Sequence, residues 1–108
     1  MKTFKLVTHY ETYKDCYFRM YKYKIDNSLC LDIYNDEGGS ICRLTVRVNT
    51  TPKNHAYLDI NNCPFAMDLV EDLEIGVPTG KWFGSGFCMY PLYKFNMNKV
   101  LEYVGINE

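Results

Sequence analysis

Apolar and polar side chains alternate in several segments of this chain, a pattern typical of strands with one buried face. Phe4 and Leu6 alternate with polar neighbours, which predicts a first strand over residues 3–8. A second strand is predicted over about residues 16–25 from its many aromatic side chains, with a turn at 13–15 before it. The tyrosines of this segment also recur at intervals of three and four residues, so a helix is the alternative there.

The clearest alternation occurs in two neighbouring segments, 29–34 and 42–48, where every second residue is apolar. Residues 35–39 between them are rich in Asn, Asp and Gly, which tolerate positive φ in tight turns. The pattern therefore predicts a β-hairpin. It is followed by a loop at 50–54 and a short strand at 56–60.

One helix is predicted over about residues 64–75. Asn62 or Cys63 is in position to cap it, and Pro64 suits the first turn, where its missing N–H costs nothing. Gly76 is expected to end the helix in a left-handed conformation. The apolar stripe of this helix consists of Phe65, Leu69, Val70 and Leu73.

The segment 77–86 is predicted to be a loop, because it contains one proline and three glycines. The loop carries one basic and two aromatic side chains, Lys81, Trp82 and Phe83. Exposed rings on a glycine-hinged loop suit an anchor in a protein interface, whereas the alternative is that they pin the loop to the core. We therefore treat the three residues as candidates for partner binding.

A strand over 87–95 and a short helix over 97–104 are predicted to follow. Pro91 has no N–H for a strand ladder, which indicates an edge position or a bulge. Together the segments predict a single α+β domain over residues 1–108. Its main feature is a mainly antiparallel, twisted sheet of five to six strands, with the helix 64–75 packed on it.

Composition agrees with one globular domain and limits the possible functions. Hydrophobic residues make up 47% of the 108 residues and charged residues 23%, which argues against a disordered chain or a coiled coil. The net charge of −1 gives no support to a generally basic nucleic-acid binder or a uniformly acidic DNA mimic. The charge is nevertheless polarised, because residues 1–54 sum to +3 and residues 55–108 sum to −4.

Cysteine usage and hydropathy predict a cytoplasmic protein. The count of cysteines is odd, their spacing does not match a zinc site, and the first ten residues lack the apolar run of a secretory signal. Reduced thiols are therefore expected, and no cofactor is predicted. No apolar run approaches the length of a membrane-spanning helix, so a membrane role is not expected. The cysteines are Cys16, Cys30, Cys42, Cys63 and Cys88.

Carboxylates are concentrated in the predicted helix. Asp68, Glu71 and Asp72 lie three and four residues apart on the face away from the apolar stripe, and Glu74 follows them. These side chains are expected to project into solvent together. They form either an ordinary solvated face or an acidic patch that meets a basic groove on a partner protein.

Two further sites are candidates for chemistry or binding. Cys63 precedes a helix, where a thiol pKa is lowered, but no base is apparent in its sequence neighbourhood, so catalysis is not predicted. Rings and cations alternate in the second predicted strand, as on sheet surfaces that hold single-stranded nucleic acid. An ordinary exposed sheet face is the alternative. The interleaved residues are Tyr13, Lys14, Tyr17, Arg19, Tyr21, Lys22, Tyr23 and Lys24.

The segments Asp59–Pro64 and Ser85–Phe95 resemble the signature of a family of small proteins, a domain of unknown function. Leu44-Thr45-Val46 and Pro78-Thr79-Gly80 occur in the same order as in that family, so the resemblance covers roughly residues 29–95. Members are carried on conjugative elements, plasmids and prophages of Gram-positive bacteria. The resemblance therefore implies a genetic setting without implying a reaction.

This setting implies a function by association, because small non-catalytic proteins of mobile elements often act by occupying a host protein. The chain is similar to anti-CRISPR proteins in size and setting. We therefore expect a non-enzymatic inhibitor that binds a Cas9-type effector nuclease, or its guide-RNA complex, and blocks nucleic-acid binding or cleavage. The candidate binding residues are Asp68, Glu71, Asp72, Glu74, Lys81, Trp82 and Phe83.

Under this hypothesis the partner is a protein of the bacterial host cytoplasm, and specific DNA binding is not expected. A homodimer formed through exposed sheet edges is left open. The alternative function is that of a conjugation or replication accessory protein, which binds single-stranded nucleic acid through the strand rich in tyrosine and lysine.

Overall fold

Eight strands and two short helices make up the fold in the computed structural model, which describes residues 1–105. In chain order these are β1 (Phe4–Val7), β2 (Thr12–Lys22), β3 (Leu29–Asn35), β4 (Gly39–Arg43), β5 (Thr45–Val46), β6 (His55–Leu58), α1 (Ala66–Asp72), β7 (Gly76–Ser85), β8 (Cys88–Phe95) and α2 (Met97–Leu101). The strands pair antiparallel in two four-stranded sheets, of order β1-β2-β3-β4 and β5-β6-β8-β7. The predicted α+β class is confirmed, and the prediction of one sheet of five to six strands is wrong.

The two sheets are joined at Leu44, which divides the second strand of the hairpin predicted over residues 29–48. Its N–H donates to the carbonyl of Leu31 in the first sheet, at 2.9 Å, and its carbonyl accepts from the N–H of Asp59, also at 2.9 Å. The stretch 39–46 therefore begins in one sheet and ends in the other. Alternation alone predicts a straight strand here, because Leu44 is fully buried and fits the inward-facing set.

The core lies between the two sheets and under α1. Each large apolar side chain buried there contributes about 1.5–3 kcal/mol. Its largest fully buried members are Leu6, Phe18, Leu31, Ile33, Leu44, Leu58, Val70, Ile75, Tyr93 and Val100. All of them belong to one hydrophobic cluster, so the two sheets share a single core.

The helix α1 is shorter than the predicted helix 64–75, because the residues before it form a separate turn. The Asp59 carboxylate accepts from the backbone N–H of Asn62 at 3.2 Å and from its side-chain amide at 2.8 Å. The Cys63 N–H donates to the carbonyl of Asp59 at 2.7 Å. Phe65 occupies the N-cap position without a side-chain hydrogen bond, so the predicted caps Asn62 and Cys63 are wrong.

The end of α1 has a left-handed residue, as predicted, but at a different position. Glu74 has φ 58° and its N–H donates to the carbonyl of Glu71 at 3.1 Å, while the Ile75 N–H donates to that of Val70 at 3.2 Å. This pair of bonds is the Schellman motif. Gly76, the predicted cap, instead lies in β7, where an added Cβ would come 3.0 Å from a methyl of Val70.

The loop predicted over 77–86 is wrong, because most of this segment is the edge strand β7. Its pairing with β8 shifts between Pro78 and Trp82, and Gly80 within that bulge has φ 83°. Proline and glycine are tolerated here because one side of an edge strand needs no partner. The residues that predict a loop by composition therefore mark a bulged edge.

Two further boundaries differ from the predictions. The strand β2 begins at Thr12, so the predicted turn at 13–15 is wrong, although Asp15 has φ 54° where the register with β1 shifts. Its end at Lys22 comes before the predicted residue 25. These residues extend the first hairpin, which shortens the connection between β1 and β2.

The last helix also ends early, at Leu101 instead of the predicted residue 104. Asn96 caps it as the sequence indicates, accepting from the Lys99 N–H at 3.3 Å. Residues 103–105 then lie along β2, where the Phe18 N–H donates to the carbonyl of Tyr103 at 2.7 Å. This segment bonds to a part of the β2 edge that β1 does not cover.

Candidate functional site

The carboxylates of α1 share the exposed face that their spacing predicts. Asp68, Glu71 and Asp72 are exposed, whereas Ala66, Leu69 and Val70 of the same helix are buried. Glu74 follows on the surface in its left-handed conformation. Within residues 1–105, the ion pairs involve other carboxylates, so this acidic face has no lysine or arginine from the chain itself.

A buried hydroxyl lies against this acidic face. Tyr93 of β8 is fully buried, and its hydroxyl lies next to the Glu71 carboxylate, outside regular hydrogen-bond geometry in the described residues. Burial raises the pKa of this phenol, and the neighbouring carboxylates of Glu71 and Asp68 raise it further. The phenol is therefore held as a neutral donor next to two carboxylates.

The strands β7 and β8 form a hairpin whose outer half projects as an arm. We define the arm as residues 82–91, in which Trp82 pairs with Pro91 and Ser85 with Cys88. Its turn consists of Gly86 and Phe87, and Gly86 has φ 62°, as the first central residue of a type II′ turn requires. This two-residue turn places Phe87 at the tip of the arm, where it is fully exposed.

Trp82 and Phe83, which the sequence predicts as a single anchor, lie on opposite faces of β7. Phe83 is partly buried, with its ring centroid 6.0 Å from that of Tyr57 on the neighbouring strand β6. Trp82 faces the other side and is 46% exposed. The structure thus separates the candidate pair into a packed ring and an accessible one. Lys81 is exposed in the adjacent bulge.

Register places Trp82 on the same side of the second sheet as α1. Alternate residues of a strand share a face, so Met89, Pro91 and Tyr93 lie on one side of β8, and Trp82 pairs with Pro91. The hydroxyl of Tyr93 adjoins Glu71 of α1. The acidic helix and the apolar side of the arm therefore lie on the same side of the second sheet and together make up one candidate surface, which sequence alone presents as two unrelated segments.

Two members of this surface are absent from the sequence-based candidates. Met89 is 53% exposed beside Trp82, and Phe87 is fully exposed at the turn. A Gly-Phe pair between two aromatic-rich segments is a hairpin signal that could have identified the turn. The prediction of a loop over residues 77–86 left this turn unidentified.

Rings and cations on the outer face of the first sheet engage one another. The guanidinium of Arg19 lies 4.3 Å from the centroid of the Tyr34 ring, and Tyr17 stacks beside Tyr34 with centroids 6.4 Å apart. The Tyr17 hydroxyl donates to Asp36 at 3.2 Å. One face of the ring that would stack a base is therefore covered by a cation of the protein.

The cysteine with the best sequence position for a nucleophile is inaccessible. Cys63 is fully buried, its thiol donates to the carbonyl of Arg43 at 3.3 Å, and it precedes the first residue of α1 by three positions. A hydrogen bond from the thiol of Cys42 lowers the pKa of Cys63 and raises that of Cys42. The thiol pair lies within the packing of the core.

In residues 1–105, no group of three or more His, Cys, Asp and Glu side chains is arranged to hold a metal ion. No helix in that part of the chain has the length and apolar character needed to cross a membrane.

Comparison with known proteins gives one match. A family model described as a domain of unknown function (DUF4313) matches residues 17–107, from the middle of β2 onward. No curated protein and no solved structure matches the chain significantly. The resemblance to a family of unknown function is thus confirmed, whereas its mobile-element setting stays a prediction. Because the match covers most of the sequence, this chain belongs to the DUF4313 family, a domain of unknown function.

Proposed function

We propose that this protein is a non-enzymatic inhibitor of the anti-CRISPR kind, which binds a Cas9-type effector nuclease in the bacterial cytoplasm. The observation that carries the proposal is the surface shared by the acidic face of α1 and the apolar side of the arm. It combines unpaired carboxylates with exposed rings. Such a surface fits a protein partner with a basic groove and an apolar pocket beside it.

The acidic half of the surface supplies complementary charge. Effector nucleases hold their guide and target strands in channels lined by Lys and Arg. Asp68, Glu71 and Asp72 are exposed together and have no cation from their own chain among residues 1–105. Carboxylates in this arrangement compete with phosphates for the same basic side chains and accelerate association at low salt.

The apolar half supplies an anchor. Trp82, Phe87 and Met89 are accessible, and aromatic residues dominate the binding energy of protein interfaces. The two-residue turn at the tip of the arm fixes the backbone before binding, so little conformational entropy is lost when a partner is engaged. A rigid arm of this kind suits insertion into a pocket.

Direct binding of nucleic acid receives less support from the geometry. The carboxylates of α1 repel phosphates, and on the first sheet Arg19 already covers the Tyr34 ring. Exposed lysines at positions 14, 22 and 24 are the cations of that region that remain accessible. The accessory-protein alternative is therefore treated as an outcome of the test.

Inhibition of a purified Cas9-type effector from a Gram-positive host tests the proposal. The wild-type protein is expected to block cleavage of target DNA, and the double variant Trp82→Ser, Phe87→Ser is expected to raise the half-inhibitory concentration at least about tenfold. Tyr10→Ser is the matched control, because Tyr10 is also almost fully exposed but lies in the turn between β1 and β2. It is expected to inhibit like the wild type.

Charge reversal provides the second part of the experiment. Glu71→Lys is expected to weaken inhibition several-fold and to flatten its salt dependence, whereas Glu37→Lys in the exposed turn between β3 and β4 is expected to have no effect. Absence of inhibition, combined with binding to bare single-stranded DNA that falls steeply with salt, would reject the inhibitor and support the accessory protein.

A further inference from the structure

A cleft of about 520 Å³ opens where elements of the two sheets meet. The end of β2 and the turn that joins β2 to β3 line one part of it, and the loop 51–54 before β6 and Met97 of α2 line the rest. Sites for small molecules commonly measure about 300–1,000 Å³. The cleft is therefore large enough for a small organic ligand.

The lining of this cleft carries positive charge that the protein does not compensate. Lys22 and Lys53 are exposed there, and neither forms an ion pair within residues 1–105. The carboxylate in the lining, Asp26, already accepts from the Nε of Arg47 at 3.2 Å and from the N–H of Ser28 at 3.0 Å. The two ammonium groups are thus left to attract an anion, and lysine is a common ligand of phosphate.

The apolar part of the lining favours an aromatic ring. Met20, Leu29 and Met97 line the cleft and are partly buried against the core. A thioether sulfur makes favourable contacts with aromatic rings, and the unbranched methionine side chain adapts to the shape of a ligand. Two methionines therefore suit a flat ring.

Polar groups of the lining can bind the edge of such a ring. Asn27 and Asn54 are exposed there, and an amide both donates and accepts hydrogen bonds, as the edges of nucleobases do. Thr51 also lines the cleft, and its Oγ1 is buried without a hydrogen-bond partner among residues 1–105. Unpaired buried hydroxyls are rare, because they lose their hydrogen bond to water. A ligand seated at Thr51 can supply the missing bond.

From this combination we infer that the cleft is a binding site for a free 5′-nucleotide. The phosphate pairs with the two lysines, the base packs against the two methionines, and the asparagine amides bind polar atoms of the base or ribose. Inorganic phosphate satisfies only the first of these groups, and a nucleoside satisfies only the others. The inference goes beyond the proposed function and does not depend on it, since no described residue of α1 or of the arm lines the cleft.

Backbone hydrogen bonds hold both parts of the lining in place before a ligand binds. In the turn, the Asn27 N–H donates to the carbonyl of Tyr23 at 2.8 Å, and the Tyr23 N–H donates to that of Ser28 at 3.0 Å. In the loop, the carbonyl of Asn54 accepts from the Phe95 N–H at 2.8 Å. A site that is formed in advance loses less conformational entropy when it binds.

Isothermal titration calorimetry of the full protein tests the site with the four common ribonucleoside 5′-monophosphates, their nucleosides and inorganic phosphate. The best monophosphate is expected to bind at least about tenfold more tightly than its nucleoside or phosphate. The double variant Lys22→Gln, Lys53→Gln should weaken the monophosphate about tenfold and leave the nucleoside unchanged. Lys5→Gln, Lys14→Gln is the matched control, because both lysines are exposed and lie outside the lining. It should bind like the wild type.

A second double variant tests the amides without disturbing the backbone. Asn27 has φ 58° and Asn54 has φ 64°, which glycine adopts without strain. Asn27→Gly, Asn54→Gly is therefore expected to unfold near the wild-type temperature. It should bind the best monophosphate several-fold more weakly and bind phosphate as before.

Three results would overturn the nucleotide site. They are binding of inorganic phosphate as tight as that of the best monophosphate, unchanged nucleotide affinity in Lys22→Gln, Lys53→Gln, and an equal loss in the control pair. A 5′-phosphorylated oligonucleotide with the same first base distinguishes the source of the ligand. It should bind more weakly than the monophosphate, and tighter binding would replace the free nucleotide with the end of a strand. The nuclease assay is independent, because Lys22→Gln, Lys53→Gln is expected to inhibit like the wild type.

Discussion

The outer face of the first sheet and the surface formed by α1 and the arm contain similar side chains in different states. On the first sheet, Arg19 covers Tyr34, and Arg43 donates to Asp32 at 2.7 and 3.3 Å. On the second surface, carboxylates lack cations within residues 1–105, and Trp82 is accessible. Aromatic and charged residues therefore engage one another on the first sheet, whereas those of the second surface stay accessible.

Removal of Asp32 is expected to have the largest effect on stability. This carboxylate is 7% exposed and accepts two hydrogen bonds from Arg43, so Asp32→Ala should lower the free energy of unfolding by about 1.5–3 kcal/mol. Urea denaturation measures it, with Glu37→Ala as an exposed control expected to change little. A loss below about 0.5 kcal/mol would show that the first face is not held by its internal pairs.

Alkaline pH tests the same face through Tyr23. Burial raises the pKa of this phenol to about 12, and its hydroxyl shares a 3.1 Å hydrogen bond with Thr45. Because the folded pKa lies above the unfolded value of 10.0, the contribution is fully present below pH 10 and is lost as pH rises toward 12.

The measurement for Tyr23 is urea denaturation of wild type and Tyr23→Phe between pH 9 and pH 11. The wild type should lose stability more steeply over this interval than the variant, which lacks the titrating group. Parallel curves would contradict a buried, neutral Tyr23.

Relief of backbone strain at Glu74 is expected to have a smaller effect of the opposite sign. Glu74 has φ 58°, a conformation that glycine adopts without the clash of a Cβ. Glu74→Gly should therefore raise the free energy of unfolding by about 0.5–1 kcal/mol. Denaturant midpoints of this variant and of Glu71→Gly, which lies inside the helix and should destabilise it, distinguish strain relief from loss of charge.

The smallest change in stability is expected at the arm. Phe87→Ser removes a fully exposed side chain, so the free energy of unfolding should stay within about 0.5 kcal/mol of the wild type, whereas Trp82→Ser also removes the buried half of a ring that is 46% exposed and should cost more. Phe83→Ser on the opposite face is the contrast, because its partly buried ring packs beside Tyr57 and its removal should cost more. If all three variants were equally destabilised, the arm would be a packed element and not a free surface.

Local patterns predict much of this fold. The β3–β4 hairpin, the exposed carboxylates of α1 and the Asn96 cap all follow from rules that act over a few residues. The bend at Leu44 does not, because it depends on pairing with β6, which is distant in sequence. Alternation reports which face of a strand is buried, without reporting which sheet buries it.

The candidate surface is predictable only in its acidic half. Spacing places Asp68 and Glu71 together, since a helix fixes its own geometry. The separation of Trp82 from Phe83 requires knowing that the segment is a strand, and glycine and proline argued for a loop. The approach of Tyr93 to Glu71 requires the packing of a helix on a sheet, which no short-range rule supplies.

The passage of one continuous stretch through both sheets at Leu44 has a consequence for cooperativity. Separating the halves would break the bonds from Leu44 to Leu31 and to Asp59 and would open the common cluster of buried side chains. Each half keeps its own four-stranded ladder, but neither has a closed interior without the other, because both sheets contribute side chains to the one cluster. Equilibrium unfolding is therefore expected in one step, and fragments produced by cleavage at this residue should fold only when they are mixed.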